Sequence, residues 1–169
     1  TAVHPEDLPG YIADFKAILK KYKLESVYHA HIATGELHLR PVLNLKDPAD
    51  VILFHTIAGE IALLVKRYKG SLSGEHGDGR LRGEFIPLMV GEKNYELIRR
   101  VKRVFDPDNR FNKGKIIDTP PMNTFLRYEP GHVSPEFDTS FDYSREGGIM
   151  KMFEQCNGSR DCWKTEIVG

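Results

Sequence analysis

The segment YHAHIATGELHLRP at 28–41 constrains the fold most, because apolar and polar residues alternate on both sides of a central glycine. Alternation with a period of two is typical of β-strands, and a glycine between two such runs predicts a short turn. With a four-residue loop, His31 would lie opposite His38 and His29 opposite Arg40. Strand alternation then places these four side chains on one side of a two-stranded ribbon.

Three imidazoles on one ribbon suggest a metal site. Neutral imidazole is the commonest metal ligand in proteins, and two histidines that face each other across a hairpin could bind the same ion. The alternative is that His29, His31 and His38 are ordinary polar residues of a strand or histidines near a core. The hairpin alone favours this alternative, because two ligands do not complete a metal site.

Size and composition describe an ordinary globular protein. The chain has 169 residues, of which 40% are hydrophobic and 28% charged, which allows a buried core. The formal net charge is zero, so there is no broad electrostatic reason to expect nucleic acid or an anionic membrane as a partner. Neither an apolar run of about 20 residues nor a signal peptide is apparent, and we therefore expect a cytoplasmic protein without a transmembrane segment.

Three segments have the periodicity of helices. Apolar residues recur every three or four positions at 6–22, and a second helix is predicted to begin at Asp47-Pro48 and to end near Gly70. A third, at 93–105, is stopped by Asp106-Pro107. Together with the hairpin these segments predict an α+β fold, in which an antiparallel sheet carries the two long helices on one face.

A glycine-rich loop at 74–80, GEHGDGR, follows a predicted short strand at 71–73. Three glycines let the backbone turn sharply and pass close to a ligand, and Glu75 and His76 lie between them. If this loop reached the hairpin, Glu75 would complete a two-histidine, one-carboxylate set. Such a set suits zinc, or manganese if more oxygen ligands join.

The composition changes after residue 117, where prolines, glycines, serines and threonines interrupt every period. We predict three parts: a domain at 1–118, an extended connector at 119–148, and a C-terminal part at 149–169. The last part contains Cys156 and Cys162. Taken by themselves, two such cysteines are more often a free pair or an occasional disulfide.

Three segments in this order, at 31–41, 73–79 and 105–115, resemble the C-terminal portion of the FAD-linked oxidase family. That family includes D-lactate dehydrogenase, the glycolate oxidase flavin subunit and D-2-hydroxyglutarate dehydrogenase. The resemblance implies part of a ferredoxin-like cap domain, and a reaction in which a D-2-hydroxy acid is oxidised and hydride passes to FAD.

The resemblance also implies roles for individual residues. The metal ligands would be His31, His38 and Glu75. His76 would be the base that removes the hydroxyl proton, or would contact the substrate carboxylate, and Asn112 would lie near the flavin. Arg40 could pair with the substrate carboxylate, although many family members carry a small polar residue at that position.

The Arg-Pro end of the hairpin and the two cysteines look closer to the branch of the family that is fused to an iron-sulfur domain. Cys156 and Cys162 would then be the first cluster ligands. Two thiolates cannot supply four ligands, so we expect a [4Fe-4S] cluster only in a longer chain. Electron transfer to an acceptor could place such an enzyme at the periphery of a membrane.

Nothing before His4 resembles the FAD-binding domain of the family. We therefore expect a fragment of a longer enzyme that is catalytically silent alone, with the FAD-binding and iron-sulfur domains of the same polypeptide as its partners. A homo-oligomer is left open. Two other functions also remain open: a self-contained zinc hydrolase that uses the same ligands, and a non-catalytic interaction domain in which the histidines are structural.

Overall fold

The computed structural model describes residues 1–127, 130–131 and 133–158. It divides the chain into two compact units, one at 1–131 and the other at 132–169. The described part of the first unit contains the hairpin and the long helices, and that of the second contains one short helix.

The first unit is built from helices α1 (Leu8–Lys21) and α2 (Pro48–Arg67) and an antiparallel hairpin of strands β1 (Ser26–His31) and β2 (Glu36–Pro41). These elements share one apolar core. Its buried members are Val3, Leu8, Tyr11, Phe15, Leu19, Leu37, Ile57, Ala62, Leu64, Val65 and Leu72.

The apolar face of the hairpin joins this core. Leu37 is buried, while Ala30 and Leu39 pack against the cluster, and the ring of Tyr28 meets that of Phe15 edge to face, with centroids 6.0 Å apart. The α+β prediction is therefore confirmed. Because strand side chains alternate, the opposite face of the hairpin carries the histidines away from the core.

The pairing of the two strands differs from the predicted one. His29 pairs with His38, His31 with Glu36 and Val27 with Arg40, so the predicted pairs His31–His38 and His29–Arg40 are wrong. The loop is a 3-10 turn followed by Gly35, which adopts the left-handed conformation at φ +72°, and it lies one residue earlier than expected. The face was nevertheless predicted correctly, because the change in pairing keeps the parity of each strand.

Helix α2 begins as its sequence predicts. The Asp47 carboxylate accepts a hydrogen bond from the Ala49 backbone N–H at 2.8 Å, and Pro48 occupies the first turn. Within the described residues, α2 is the one helix long and apolar enough to cross a membrane, a property that core helices of globular domains share. Five of its residues are buried in the first unit, which is the position of a core helix.

Two further helices follow. Helix α3 (Ile86–Val90) was not predicted, and it is a single short turn of helix preceded by a 3-10 turn at Gly83–Phe85. Helix α4 (Glu92–Phe105) begins one residue before the predicted start and ends at the predicted residue. Its amphipathic spacing made α4 visible in the sequence, whereas five residues are too few to show a helical period.

Asp106 is the residue at which α4 ends, and its carboxylate accepts several hydrogen bonds. Its carboxylate accepts from the backbone N–H groups of Arg110 at 2.7 Å and Phe111 at 2.9 Å, and the Lys102 ammonium donates to it as well. The side chain is buried at 6% exposure. These hydrogen bonds lower the pKa of Asp106 to about 2, and the bond from Lys102 contributes more than those from the two backbone N–H groups.

The predicted strand at 71–73 is reduced to a single bridge. Ser71 pairs with Ala2, and Ala2 also pairs with Glu36, so a short N-terminal segment lies between β2 and residue 71. The backbone then bends into the glycine-rich loop instead of continuing as a strand. This arrangement brings the start of that loop beside β2.

The second unit is described over residues 133–158. It contains a 3-10 turn at Ser144–Glu146 and the short helix α5 (Ile149–Glu154). Cys156 follows α5 as an exposed free thiol, and Cys162 lies outside the described residues.

Candidate metal and substrate site

Two side chains of the hairpin and one from the glycine-rich loop converge at the open face of the hairpin. The ligand atoms of His31, His38 and Glu75 all lie within 4.8 Å of one another. Oε1 of Glu75 is 3.1 Å from Nε2 of His38 and 3.9 Å from Nε2 of His31. The two histidines are diagonal neighbours on adjacent strands, a spacing that long side chains can bridge.

The glycine-rich loop passes close to the hairpin at Gly74. A Cβ atom there would overlap the side chain of Glu36 on β2, so a larger residue would require that side chain to move. Gly77 then turns the backbone with φ +70°, a conformation that favours glycine. Between these two positions the loop presents Glu75 and His76 toward His38.

The donor set fits a divalent metal ion. Two ligands that each lie about 2.0–2.1 Å from a tetrahedral ion are about 3.3 Å apart. The separation of His38 and Glu75 matches this value, and that of His31 and Glu75 needs only a small side-chain movement. His31 and Glu75 are about half exposed, at 53% and 45%, which leaves room for further ligands. Two nitrogens and one carboxylate oxygen suit zinc, or manganese with added oxygen ligands.

Two more imidazoles surround this cluster. Nε2 of His76 lies 3.0 Å from Oε1 of Glu75, and its ring centroid is 5.5 Å from that of His38. The ring of His29 is 5.5 Å from His38 and 5.8 Å from His31. His29 is not part of the three-residue ligand group. The sequence therefore predicted the face on which these histidines lie, and the geometry separates His29 from His31 and His38, which form the ligand group with Glu75.

A cavity of about 370 Å³ lies beside the cluster. His38 and His76 line it, and so does Arg40, which places a guanidinium in the wall that also carries the two imidazoles. Most of the rest of the wall is apolar and comes from β2, the segment after it, α2 and the segments on either side of the loop. Its further polar members are Thr1, Glu36, Ser73 and Arg82. The apolar residues are Leu37, Leu39, Leu43, Phe54, Ile57, Ala58, Ile61, Leu72, Leu81, Phe85 and Met122.

A charged pair supports the base of the loop. Nε of Arg82 lies 3.7 Å from Oδ1 of Asp78, and the Arg82 guanidinium also donates to the Gly77 carbonyl. Burial raises the pKa of the Asp78 carboxyl, while the positive charge of Arg82 acts in the opposite direction. Arg82 lines the cavity as well, so this pair ties the loop backbone to the cavity wall.

Asn112 is not among the residues that line this cavity. It lies in the turn after α4 with φ +48°, and its side-chain oxygen accepts a hydrogen bond from Lys115 at 3.2 Å. Other residues of the site were missed. Met122 and the cavity face of α2 line the pocket, but an isolated methionine in a proline-rich segment and an apolar helix face give no local sign of a ligand.

The comparison with known families adds to this geometry. Residues 1–116 match the model of the C-terminal domain of FAD linked oxidases. The chain belongs to this family. The match covers the segments at 31–41, 73–79 and 105–115, on which the sequence resemblance rests.

Curated relatives carry related names. The chain is 48% identical over 116 residues to a D-2-hydroxyglutarate dehydrogenase of Pseudomonas putida, covering 69% of this chain and 11% of that protein. It is 42% identical over 178 aligned residues to a D-2-hydroxyglutarate dehydrogenase of Escherichia coli, covering 98% and 16%. It is also 32% identical to the glycolate oxidase subunit GlcD of Escherichia coli, covering 66% and 22%. The chain thus spans less than a quarter of the length of each of these relatives.

Proposed function

We propose that this chain forms the metal- and substrate-binding part of an FAD-dependent dehydrogenase that oxidises D-2-hydroxy acids. The observation that carries the proposal is the convergence of His31, His38 and Glu75 within 4.8 Å beside a cavity. The family supports the flavin, and the names of its relatives support the substrate class. The substrates considered are of the D-lactate, glycolate and 2-hydroxyglutarate type.

The ligand set would hold a zinc or manganese ion through Nε2 of both histidines and a carboxylate oxygen of Glu75. A bound divalent ion supplies Lewis-acid polarisation of the substrate hydroxyl and carboxylate. His38 has the least exposed side chain of the three, at 15%, and borders the cavity. It would therefore hold the ion on the side of the cluster that borders the cavity, while the more exposed His31 and Glu75 leave the other side open to solvent.

His76 is suited to accept the hydroxyl proton. In the tautomer in which Nε2 carries the hydrogen, it donates to Glu75 at 3.0 Å, and Nδ1 keeps a lone pair. The contact with Glu75 orients the ring, and an oriented imidazole is an effective general base near neutral pH. Arg40 borders the same cavity, and its guanidinium offers two parallel donors to a substrate carboxylate.

The flavin would accept the hydride, and most of its binding surface would come from residues outside this chain. Asn112 would lie near it, in the turn after α4. In a longer polypeptide, Cys156 and Cys162 would begin the ligand set of a [4Fe-4S] cluster that passes electrons onward. A cytoplasmic position, with contact to a membrane through the electron acceptor, completes this proposal.

Metal binding by this chain tests the proposal directly. We expect purified chain, stripped with chelator and titrated with Zn²⁺ or Mn²⁺ in a calorimeter, to bind close to one ion. Replacing both hairpin ligands, as His31→Ala with His38→Ala, should abolish that binding. The control is His4→Ala, because His4 is exposed and pairs only weakly with Glu6 at 4.0 Å.

Two outcomes would count against the proposal. Metal affinity unchanged in the double variant would show that the ion binds elsewhere, and no binding in the wild-type chain would show that these three residues do not form a site by themselves. Turnover of an activated ester by the zinc-loaded chain would instead support a hydrolase. Membership of the FAD linked oxidase family argues against that alternative.

A further inference from the structure

We infer that Met122 determines which 2-hydroxy acids this site accepts, by contacting the carbon chain of the substrate beyond the hydroxyl-bearing carbon. The inference rests on the proposed function, because it takes the metal cluster as the site of the hydroxyl and carboxylate. Its own basis is the position of residues 118–124, a segment that we call the strap.

Met122 is a buried part of the cavity wall. It is 4% exposed and lines the same cavity as His38 and His76. Its backbone N–H donates to Oε1 of Glu84 at 2.8 Å, and the other carboxylate oxygen of Glu84 lies 3.1 Å from Nε2 of His55 on α2. A single carboxylate thus joins the strap to the long helix that forms the opposite apolar wall.

Arg80 holds the strap at several further points. Its guanidinium donates to the carbonyls of Pro120 at 2.9 Å, Pro121 at 3.2 Å and Thr124 at 2.9 Å, and to the Thr124 hydroxyl at 2.9 Å. Three backbone carbonyls bound by one planar group define the path of the strap on both sides of Met122. Arg80 is therefore a positioning residue, since it acts on the cavity through Met122.

The strap is also anchored at its start. Thr119 packs against Gly83 so closely that a Cβ at Gly83 would overlap its hydroxyl. The Asp118 backbone N–H donates to the Tyr95 hydroxyl at 2.9 Å. Contacts to the glycine-rich loop, to the 3-10 turn after it and to α4 therefore hold the strap at several points, and Met122 becomes a fixed part of the wall.

The apolar character of this part of the cavity wall indicates which part of a substrate it would contact. Met122, Leu81 and Phe85 line the cavity together with the apolar face of α2, and these side chains offer a ligand no hydrogen bonds beyond weak ones. Methylene groups gain most from such a wall, at about 0.8 kcal/mol each, which corresponds to about a fourfold gain in affinity. A methionine also adapts its shape to an irregular ligand.

The strap lies beyond the part of the chain that matches the family model, which ends at residue 116. The metal cluster lies entirely within the matched part. A change in the strap would therefore alter the cavity wall while leaving the metal ligands in place. This separation allows substrate range and metal chemistry to be tested independently.

The experiment measures binding of unbranched D-2-hydroxy acids to the zinc-loaded chain by calorimetry, using 2-hydroxybutanoate, 2-hydroxyhexanoate and 2-hydroxyoctanoate. We expect affinity to rise by about fourfold per added methylene. Met122→Trp should fill the cavity and remove this gain for the two longer acids, with the affinity for 2-hydroxybutanoate preserved. Met152→Trp, at an exposed methionine of α5, is the matched control and should keep the wild-type gain.

Three further variants keep the test decisive if Met122→Trp fails to fold. Met122→Ala should widen the cavity and lower the affinity for 2-hydroxyoctanoate severalfold, and Met122→Leu should retain the dependence on length. Arg80→Ala should weaken that dependence although Arg80 is not part of the cavity wall. Circular dichroism establishes which variants are folded, and the comparison uses those.

A wild-type affinity that does not change with chain length would overturn the inference, as would folded Met122→Trp and Met122→Ala variants with the wild-type length dependence. The proposed function fails in a different way. If it is wrong, chelator has no effect on binding, and plain carboxylic acids without the hydroxyl bind as well as the hydroxy acids. A length dependence that disappears in the Met122 variants under those conditions would still support the apolar wall.

Discussion

Oε1 of Glu75 lies 3.1 Å from Nε2 of His38, so that a loop carboxylate meets the histidine of β2. The same oxygen is 3.0 Å from His76 and 3.9 Å from His31. Three imidazole nitrogens thus lie around one carboxylate oxygen. A bound metal ion would replace the contacts of Glu75 with His31 and His38 by direct bonds to the ion. Glu75 is therefore the residue on which the cluster depends most directly.

Glu75→Gln should lower the affinity for zinc by at least about 100-fold, because loss of even an outer-shell partner commonly costs about 10- to 100-fold. The amide keeps the shape and can still contact His38, but it removes the negative charge that an ion requires. Competition with a chromogenic zinc chelator measures the change. Glu25→Gln, at an exposed glutamate in the same unit, should bind zinc as the wild type does. Equal affinities in the two variants would exclude Glu75 as a ligand.

Metal removal should lower the thermal stability of the chain. An ion that binds only the folded state stabilises it by about 2.7 kcal/mol when its free concentration is 100 times the dissociation constant. The hairpin and the loop are the elements that such an ion would join. We expect chelator to lower the midpoint of thermal unfolding by several degrees, and added zinc to restore it in a concentration-dependent manner.

The double variant His31→Ala with His38→Ala is the comparison for this experiment. It should unfold at the same temperature with and without chelator. If the variant still responded to chelator as the wild type does, the stabilising ion would have to bind at a different site. If neither protein responded, the histidines would be structural, as in the interaction-domain alternative.

Asp106→Asn should destabilise the chain at neutral pH, because the carboxylate accepts hydrogen bonds from Lys102 and from two backbone N–H groups. The folded-state pKa of Asp106 is lowered to about 2, whereas an unfolded aspartate titrates near 3.9. The contribution of this charge is therefore fully present above about pH 4. It is lost as the pH falls from about 4 through about 2.

Urea unfolding of the wild type and the variant at a series of pH values measures this dependence. The difference between their free energies of unfolding should be largest above pH 4 and should shrink toward pH 2. Asp108→Asn is the control in the same turn, since Asp108 is exposed and pairs with Arg110 at the surface. A difference that is independent of pH would show that the charge of Asp106 does not contribute.

The sequence allowed much of the site to be predicted, because the pattern in the hairpin has a period of two. That period places His31 and His38 on one face in both the predicted and the observed pairing, because the two registers differ by an even number of residues. The pairing itself depends on how the loop closes. The sequence does not show that Ile32–Thr34 forms a 3-10 turn with Gly35 in the left-handed conformation.

The meeting of Glu75 with the hairpin came from the family resemblance and not from any local pattern. It depends on the bridge between Ser71 and Ala2 and on the close approach at Gly74, which are contacts between segments distant in sequence. Met122 is the clearest omission. Its role follows from Glu84 and Arg80, whose partners cannot be read from spacing along the chain.

Phe15→Ala should destabilise the first unit by about 3–5 kcal/mol, which is the usual cost of removing a fully buried phenylalanine. Phe15 is 0% exposed, and its ring meets that of Tyr28 at 6.0 Å, so it joins α1 to the apolar face of the hairpin. Urea unfolding followed by circular dichroism measures the loss, and Phe15→Leu should show a smaller one. Phe105→Ala is the matched control, because Phe105 is 81% exposed at the end of α4 and should change stability by no more than about 0.5 kcal/mol. Equal losses in the two alanine variants would contradict a core centred on α1, α2 and the hairpin, and would require another account of how the hairpin presents His31 and His38 to Glu75.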